Sequence, residues 1–333
     1  MPKIIDCTSS ELDYFAEKPY QNMVRDGIYS EIKAGQDKES LLTFIIPESP
    51  AYIDLSKSSI SIRLKITKDG GTALAETDIV GPVNNFFHSL FKQAIVKIND
   101  VEVENSNGLY AYRAYITDTL NHGTEAKNTF LQNALYIPDT SGEMDTTTLP
   151  KKIEKGDDLV EKQKLNTGYL SRRSILMKGT GEIEVKGVPH LDIFNNGKFL
   201  LNQTNVQIEL YFNNPNFFLM GTGNYSMKIQ SASLFIKKVT PNDNIQNAIN
   251  MQLQKSPALY NMNRVFLVSK KIQNDALTQT IEISNGIVPK RVILCMVDDI
   301  ASTVGKIDKN PYNFEHFNLV SCKLCENGTN VSY

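Results

Sequence analysis

The sequence predicts an all-β sandwich, and three observations support that prediction. Period-two alternation of apolar and polar residues recurs along most of the chain, in runs rich in β-branched and aromatic residues. Helical periodicity is confined to a few segments that do not alternate regularly with the strands, which disfavours a parallel βαβ sheet. The composition, with 41% hydrophobic and 22% charged residues, is that of a folded globular protein.

Size and charge narrow the possibilities further. The 333 residues allow either two domains or one large β unit. The net charge of −2 leaves no surplus of basic residues for phosphate groups, so we expect no specific nucleic-acid partner. No apolar run approaches the roughly 18 residues that cross a bilayer, so we expect no membrane span.

Several strands can be placed by their alternation. Residues 59–67 put Ile60, Ile62, Leu64 and Ile66 on one face and polar residues on the other. Residues 94–104 read as a hairpin that turns at Asn99 and Asp100. The same alternation predicts strands in residues 206–212, 227–239, 263–268, 279–284 and 291–297.

Helical patterns occur in residues 84–92, 109–121 and 242–255, and either Asn242 or Asp243 can cap the last of these. Residues 139–158 are polar, charged and punctuated by Gly and Pro, which predicts a long surface loop near 139–165. In a shell protein such a loop can form a tower or an intersubunit contact, and a plain solvent loop is the alternative. The resulting domain plan is an N-terminal arm at 1–36, a first sandwich at 37–240, a connecting helix at 241–258 and a second β unit at 259–333.

A series of short blocks, in order along the chain, resembles the major capsid protein of Polinton (Maverick) elements and the related adintoviruses. The blocks are residues 51–55, 81–100, 109–120, 136–140, 166–173, 189–194, 288–292 and 310–317. The resemblance implies a double jelly roll, in which two eight-stranded sandwiches stand side by side. Eight strands and their connections need roughly 80–95 residues. Only 74 residues follow Leu259, so we expect the second jelly roll to be incomplete in this chain.

The resemblance also implies a structural role without catalysis. Such proteins form homotrimers that act as pseudo-hexagonal capsomers, contact neighbouring capsomers and a penton-type single jelly-roll minor capsid protein, and tile an icosahedral virion. Trimerisation of this chain would require a complete second barrel. The implied location is the virion, with synthesis in the host cytoplasm and assembly in the cytoplasm or nucleus.

Aromatic residues near the middle of the chain are candidates for subunit contacts. Tyr110, Tyr112 and Tyr115 combine with Arg113 to offer rings, hydroxyls and a guanidinium, a mixture that interfaces favour. These four residues are our candidate subunit interface, and core packing is the alternative.

Catalytic and cofactor signatures are not found in the sequence. The histidines His88, His122, His190 and His316 are scattered, with no His-x-x-x-His spacing, so we expect no metal site. Neither Gly-x-Ser-x-Gly nor a phosphate-binding Gly-Lys loop occurs, so no catalytic residue or cofactor is expected. Two other readings of a jelly roll stay open at this point: a glycan- or receptor-binding module, and a cupin-type metalloenzyme.

Overall fold

The computed structural model describes residues 23–35, 40–150, 164–273, 278–283, 289–303, 305–326 and 329–330. Its strands are β1 (Val24–Lys33), β2 (Leu41–Ile46), β3 (Tyr52–Lys68), β4 (Val80–Pro82), β5 (Phe91–Ile98), β6 (Val101–Asn105), β7 (Glu182–Gly187), β8 (Val206–Phe212), β9 (Leu219–Gly221), β10 (Tyr225–Pro241), β11 (Cys325–Glu326) and β12 (Thr329–Asn330). Its α-helices are α1 (Phe86–Ser89), α2 (Tyr110–Asn121), α3 (Thr124–Asn128), α4 (Thr167–Lys178), α5 (Pro215–Phe218), α6 (Asp243–Leu253) and α7 (Asp299–Thr303). Two 3₁₀ helices span Phe130–Ala134 and Asp192–Asn195.

Eight of the strands form two four-stranded antiparallel sheets. One sheet has the order β1-β10-β3-β7 and the other has the order β2-β8-β5-β6. If the barrel strands alone are counted along the chain, leaving out the short pair β4 and β9, these orders become 1-8-3-6 and 2-7-4-5. That is the strand order of a jelly roll, two Greek keys folded into a sandwich. The predicted all-β jelly-roll class is therefore confirmed.

The core lies between the two sheets and follows from the alternation along each strand. In β3, Ile60, Ile62, Leu64 and Ile66 are fully buried. They belong to the same apolar cluster as the inward-facing residues of β2 and β8. On the opposite, solvent-exposed face of β3, the guanidinium of Arg63 lies 3.4 Å from the carboxylate of Glu182.

The predicted hairpin at residues 94–104 is confirmed as β5 and β6. Its two turn residues, Asn99 and Asp100, have φ angles of 48° and 63°. Both residues therefore lie in the left-handed region, as a two-residue turn matched to the twist of the strands requires. Asn and Asp tolerate this conformation better than other residues with a side chain, which explains why they occupy the turn.

The strand directions gather the helices at one end of the sandwich. Successive barrel strands run in alternate directions, so the connections that leave β3, β6 and β8 emerge at the same end. These three connections carry α1, then α2 to α4, then α5. Contacts join α1 to α2 and α5, and α1 also reaches β7 while α2 reaches β5 in the other sheet. The insertions thus link the two sheets.

One boundary predicted from the sequence is wrong, and one helix was not predicted. The barrel begins with β1 at Val24, inside the segment assigned to an N-terminal arm at 1–36. This strand is at a sheet edge and most of its residues are exposed, so its alternation is weak. Helix α4 was not predicted, because its buried positions Gly168, Tyr169, Arg172 and Leu176 include an arginine where the helical pattern calls for an apolar residue.

The predicted surface loop near 139–165 is only partly a surface feature. Residues 139–146 turn back onto the barrel, where the side chain of Asp139 is 1% exposed and that of Asp145 bonds the Asn310 backbone N–H at 2.7 Å. Asn166, which is fully buried, then caps α4: its side chain accepts a hydrogen bond from the backbone N–H of Tyr169. Residues 151–163 lie outside the described part of the chain.

The strands predicted at 263–268, 279–284 and 291–297 do not form within residues 259–273, 278–283 and 289–303. Apolar side chains there stay in contact with water, including Phe266 at 69% and Leu294 at 58% exposed. A strand needs a neighbour for its backbone hydrogen bonds, and the described residues offer none at these positions. The second jelly roll therefore stays a proposal. Among the described residues, no helix is both long and apolar enough to cross a bilayer.

Replacing Ile62 with alanine tests the inward-facing register of β3. The change removes a fully buried side chain and should lower the free energy of unfolding by about 2–5 kcal/mol. Arg63→Ala is the matched control on the outer face of the same strand and should cost less than about 1 kcal/mol. Urea unfolding followed by circular dichroism measures both, and equal losses would contradict the register.

Candidate functional site

Six of the sequence blocks that carry the resemblance meet around helices α1 and α2. They are blocks 81–100, 109–120, 136–140, 166–173, 189–194 and 310–317, which the chain brings together from the strand connections and from the segment after the barrel. Buried side chains from all six take part in one polar and aromatic layer. We take this layer as the candidate functional site.

The layer is organised at the start of α1 by two asparagines. Asn85 has φ 55° and ψ 47°, a left-handed conformation that asparagine accepts more readily than most residues. The side-chain oxygen of Asn84 accepts hydrogen bonds from the backbone N–H groups of Asn85 and Ile137, both at 2.8 Å. The turn into α1 is thereby attached to block 136–140.

Tyr110 and Arg113, two of the four candidate interface residues, lie inside the chain. Tyr110 is 1% exposed, and burial raises the pKa of its hydroxyl well above the usual value of 10. Its oxygen lies 3.0 Å from Nδ1 of His88 and accepts the backbone N–H of His190 at 3.2 Å. This is the position of a core residue, so core packing accounts for Tyr110 without a second subunit.

Arg113 is the centre of a buried ion cluster. Its guanidinium donates to Glu104 at 2.9 Å and to Asp192 at 2.5 Å, and all three side chains are at most 6% exposed. The carboxylate of Glu104 also accepts the backbone N–H groups of Asp192 at 2.6 Å and Ile193 at 3.2 Å. These bonds satisfy two carboxylates that would otherwise be costly to bury. They join the end of β6 to α2 and to the 3₁₀ helix Asp192–Asn195.

Tyr112 and Tyr115, the other two candidates, face the segment that follows the barrel. The ring of Tyr115 stacks on that of Tyr312 with centroids 4.0 Å apart and planes 4° from parallel. Tyr112 meets Tyr312 and Phe217 edge to face. Tyr312 is itself buried, and its hydroxyl lies 2.6 Å from Oγ of Ser89. Contact of Tyr112 and Tyr115 with another subunit stays a prediction.

The most deeply buried ion pair joins α4 to block 136–140. Arg172 and Asp139 have side chains that are 0% and 1% exposed, and their charged groups lie 2.5 Å apart. Arg172 also donates to the carbonyl oxygens of Pro82, at 2.8 Å, and Ile137. The carboxylate of Asp139 further accepts Nδ2 of Asn166 at 2.8 Å and of Asn310 at 3.1 Å. Four separate segments thus converge on one buried ion pair.

Three of the four histidines lie around the carboxylate of Asp118, so the expectation of scattered histidines is wrong in three dimensions. Nε2 of His190 is 3.0 Å from Oδ1 of Asp118, and Nε2 of His122 is 3.7 Å from the same oxygen. His88 contributes the third imidazole, with its ring centroid 4.6 Å from that of His190. His316 is exposed on the segment after the barrel.

The charges in this group respond to burial. Desolvation lowers the pKa of His88 to about 3, which keeps this imidazole neutral. Burial alone would raise the pKa of Asp118, but the nearby His190 and His88 and the amide of Asn85 outweigh it and hold that pKa below its ordinary value. The group therefore combines an ionised carboxylate with a neutral imidazole.

One signal in the sequence pointed to this group. Asp118 and His122 are four residues apart at the end of the predicted helix 109–121, a spacing that places both on one helical face. A search for two histidines at that spacing misses a carboxylate and a histidine. The positions of His88 and His190 depend on the folding of the jelly roll and have no local signature.

Comparison with known proteins gives distant relatives. No protein-family model matches the chain. A curated relative, the uncharacterized protein F54H12.2 of Caenorhabditis elegans, is 23% identical over 291 residues, which cover 83% of this chain and 63% of that protein. The chain therefore spans less than two thirds of the length of this relative.

Viral proteins are among the solved structures that have some likeness to this chain. A chain of the Sputnik virophage is 14% identical with a TM-score of 0.45, over 72% of this chain and 53% of that one. The Faustovirus major capsid protein is 10% identical with a TM-score of 0.41, over 73% and 58%. The mavirus major capsid protein is 11% identical with a TM-score of 0.33, over 72% and 51%.

Replacing Arg172 with methionine tests the central ion pair. The variant leaves Asp139 buried without its cation, and should lose about 3–5 kcal/mol of unfolding free energy. The matched control is Arg173→Met, because Arg173 bonds only backbone carbonyls of the partly or fully exposed Asp78 and Glu76; we expect a loss of about 1 kcal/mol.

Adding Asp139→Asn to Arg172→Met should recover part of the loss, since it removes the unpaired charge. Chemical denaturation of the four proteins measures the effect. Equal losses for the two arginine variants would contradict the pairing.

Proposed function

We propose that the chain is a structural capsid protein whose function is self-association in an icosahedral shell, and that it belongs with the Polinton and adintovirus major capsid proteins. The observation that carries the proposal is the jelly-roll strand order, 1-8-3-6 and 2-7-4-5, in a chain in which six of the eight resemblance blocks contribute to one buried layer. Jelly rolls build viral shells, and they also occur in lectins and cupins. The choice among these rests on the blocks and on the exposed apolar surface.

The segment after the barrel, which begins at residue 259, exposes many apolar side chains, and this supports contact with protein partners. Its exposed apolar side chains include Leu259 at 69%, Phe266 at 69%, Leu294 at 58% and Val320 at 98%. A soluble protein rarely leaves so many large apolar groups in water unless another surface covers them. In the proposed shell, that cover comes from a second jelly roll and, if that barrel is complete, from the other subunits of a homotrimer. Neighbouring capsomers and a penton-type single jelly-roll minor capsid protein supply further contacts.

The glycan- or receptor-binding alternative has less support. The chain has no tryptophan, and its aromatic cluster at Tyr112, Tyr115 and Tyr312 packs against itself instead of facing solvent. The cupin-type alternative places a metal inside the barrel, whereas His88, His122 and His190 lie on the strand connections. Virion location and assembly in the host cytoplasm or nucleus follow from the capsid proposal.

Mass photometry of the purified chain tests self-association. We expect oligomers that grow with protein concentration, and we expect Phe266→Ser combined with Leu294→Ser to shift them at least tenfold towards monomer, because both side chains are exposed on the segment after the barrel. Val101→Ser is the matched control, since Val101 is 65% exposed but lies at the tip of the β5–β6 hairpin.

A chain that stays monomeric at all concentrations would count against the shell proposal. In that event, specific binding on a glycan array would favour the recognition module instead. Equal effects of the double variant and of Val101→Ser would mean that association does not use the exposed segment.

A further inference from the structure

Asp118, His88 and His190 have the composition and spacing of a metal-binding site. One ligand atom from each of these three residues lies within 4.8 Å of the others. Nε2 of His190 and Oδ1 of Asp118 are 3.0 Å apart. Ligand atoms on a tetrahedral zinc ion, at bonds of about 2.0–2.2 Å, are roughly 3.3 Å apart. The separation between His190 and Asp118 already fits, and the other two separations would have to close by no more than about 1.5 Å.

The carboxylate of Asp118 supplies an independent indication. The residue is 0% exposed, yet Oδ1 accepts no hydrogen bond of ordinary geometry from any residue that the structure describes. Its other oxygen accepts Nδ2 of Asn85 at 2.8 Å, which fixes the orientation of the group. Oδ1 faces Nε2 of His190 at 3.0 Å and Nε2 of His122 at 3.7 Å, and a cation shared with facing imidazoles would compensate the buried negative charge.

The surrounding residues act as a second layer that orients the ligands. Nδ1 of His88 lies 3.0 Å from the hydroxyl of Tyr110, which leaves Nε2 as the ring nitrogen without that partner. The same hydroxyl accepts the backbone N–H of His190. Metal-binding histidines usually have their second nitrogen held by such a partner. His190 and His122 have side chains that are 16% and 31% exposed, so an ion can reach the group from water.

We propose that His88, Asp118 and His190 bind one Zn²⁺ ion. Two imidazoles with one carboxylate suit a borderline divalent ion such as zinc, and three protein ligands leave the fourth position of the ion open. The ion would join α1, the C-terminal end of α2 and the segment after β7, which come from three different connections of the barrel. The site is independent of the proposed shell function.

Zinc titration of the full chain tests the site. Cys322 and Cys325 are exposed thiols that could bind zinc by themselves, so the experiment uses a Cys322→Ser, Cys325→Ser background throughout. After treatment with EDTA, isothermal titration calorimetry should show one Zn²⁺ per chain. His190→Gln should weaken binding at least tenfold, and His316→Gln, which removes an exposed imidazole elsewhere, should leave it unchanged.

Absence of stoichiometric zinc binding would overturn the proposal, as would equal binding by His190→Gln and His316→Gln. If His190→Gln does not fold, X-ray absorption at the zinc edge of the loaded parent protein decides the question. Imidazole and carboxylate ligands support the site, and a shell made of water oxygens alone contradicts it.

Discussion

The guanidinium of Arg172 is completely buried, so it is stable only while it remains paired with a carboxylate. The segments that supply this carboxylate and its other partners must therefore stay in place around Arg172. Its partner Asp139 is equally buried, and the pair also draws in Asn166 and Asn310. Breaking the contact would leave an isolated charge in the protein interior, which costs several kcal/mol. Helix α4, the middle of the long connection between β6 and β7, and the segment beyond the barrel are therefore held in one arrangement.

Other parts of the buried layer are also held together by buried ion pairs and by stacked aromatic rings. Arg113 joins β6, α2 and the 3₁₀ helix through two carboxylates, while the stacked rings of Tyr115 and Tyr312 fasten α2 to the later segment. The sandwich core is apolar and tolerant of exchanges among similar side chains. The insertions, by contrast, are specified by charged and hydrogen-bonded pairs that accept few substitutes. Four of the eight recognisable sequence blocks, 109–120, 136–140, 166–173 and 189–194, accordingly lie within these insertions.

Alternation was enough to predict the long barrel strands, as β3 and the β5–β6 hairpin illustrate, because each has one face in the core. Prediction failed where this condition fails. The edge strand β1 is mostly exposed, and α4 buries Arg172 among its apolar positions, so neither has a clear period. The histidine group could not be foreseen for a different reason: His88, Asp118 and His190 are brought together by the strand order of the whole jelly roll.

The buried polar and aromatic layer and the exposed segment after the barrel differ in whether they need a protein partner. The buried layer is internally satisfied over most of its atoms and needs no partner to explain it. The exposed apolar side chains among the described residues between 259 and 320 favour a covering surface, and the proposed shell of many copies would supply one. On this account, the first barrel is the rigid part of a tile, and the later segment provides much of the surface through which tiles associate.

Electron cryomicroscopy of particles purified from cells that produce the protein tests the central claim most directly. The account predicts closed icosahedral shells whose repeating density contains a jelly roll with strand orders 1-8-3-6 and 2-7-4-5, and with α1 and α2 joining the two sheets. Shells that lack this density, or a protein found only outside particles, would contradict it.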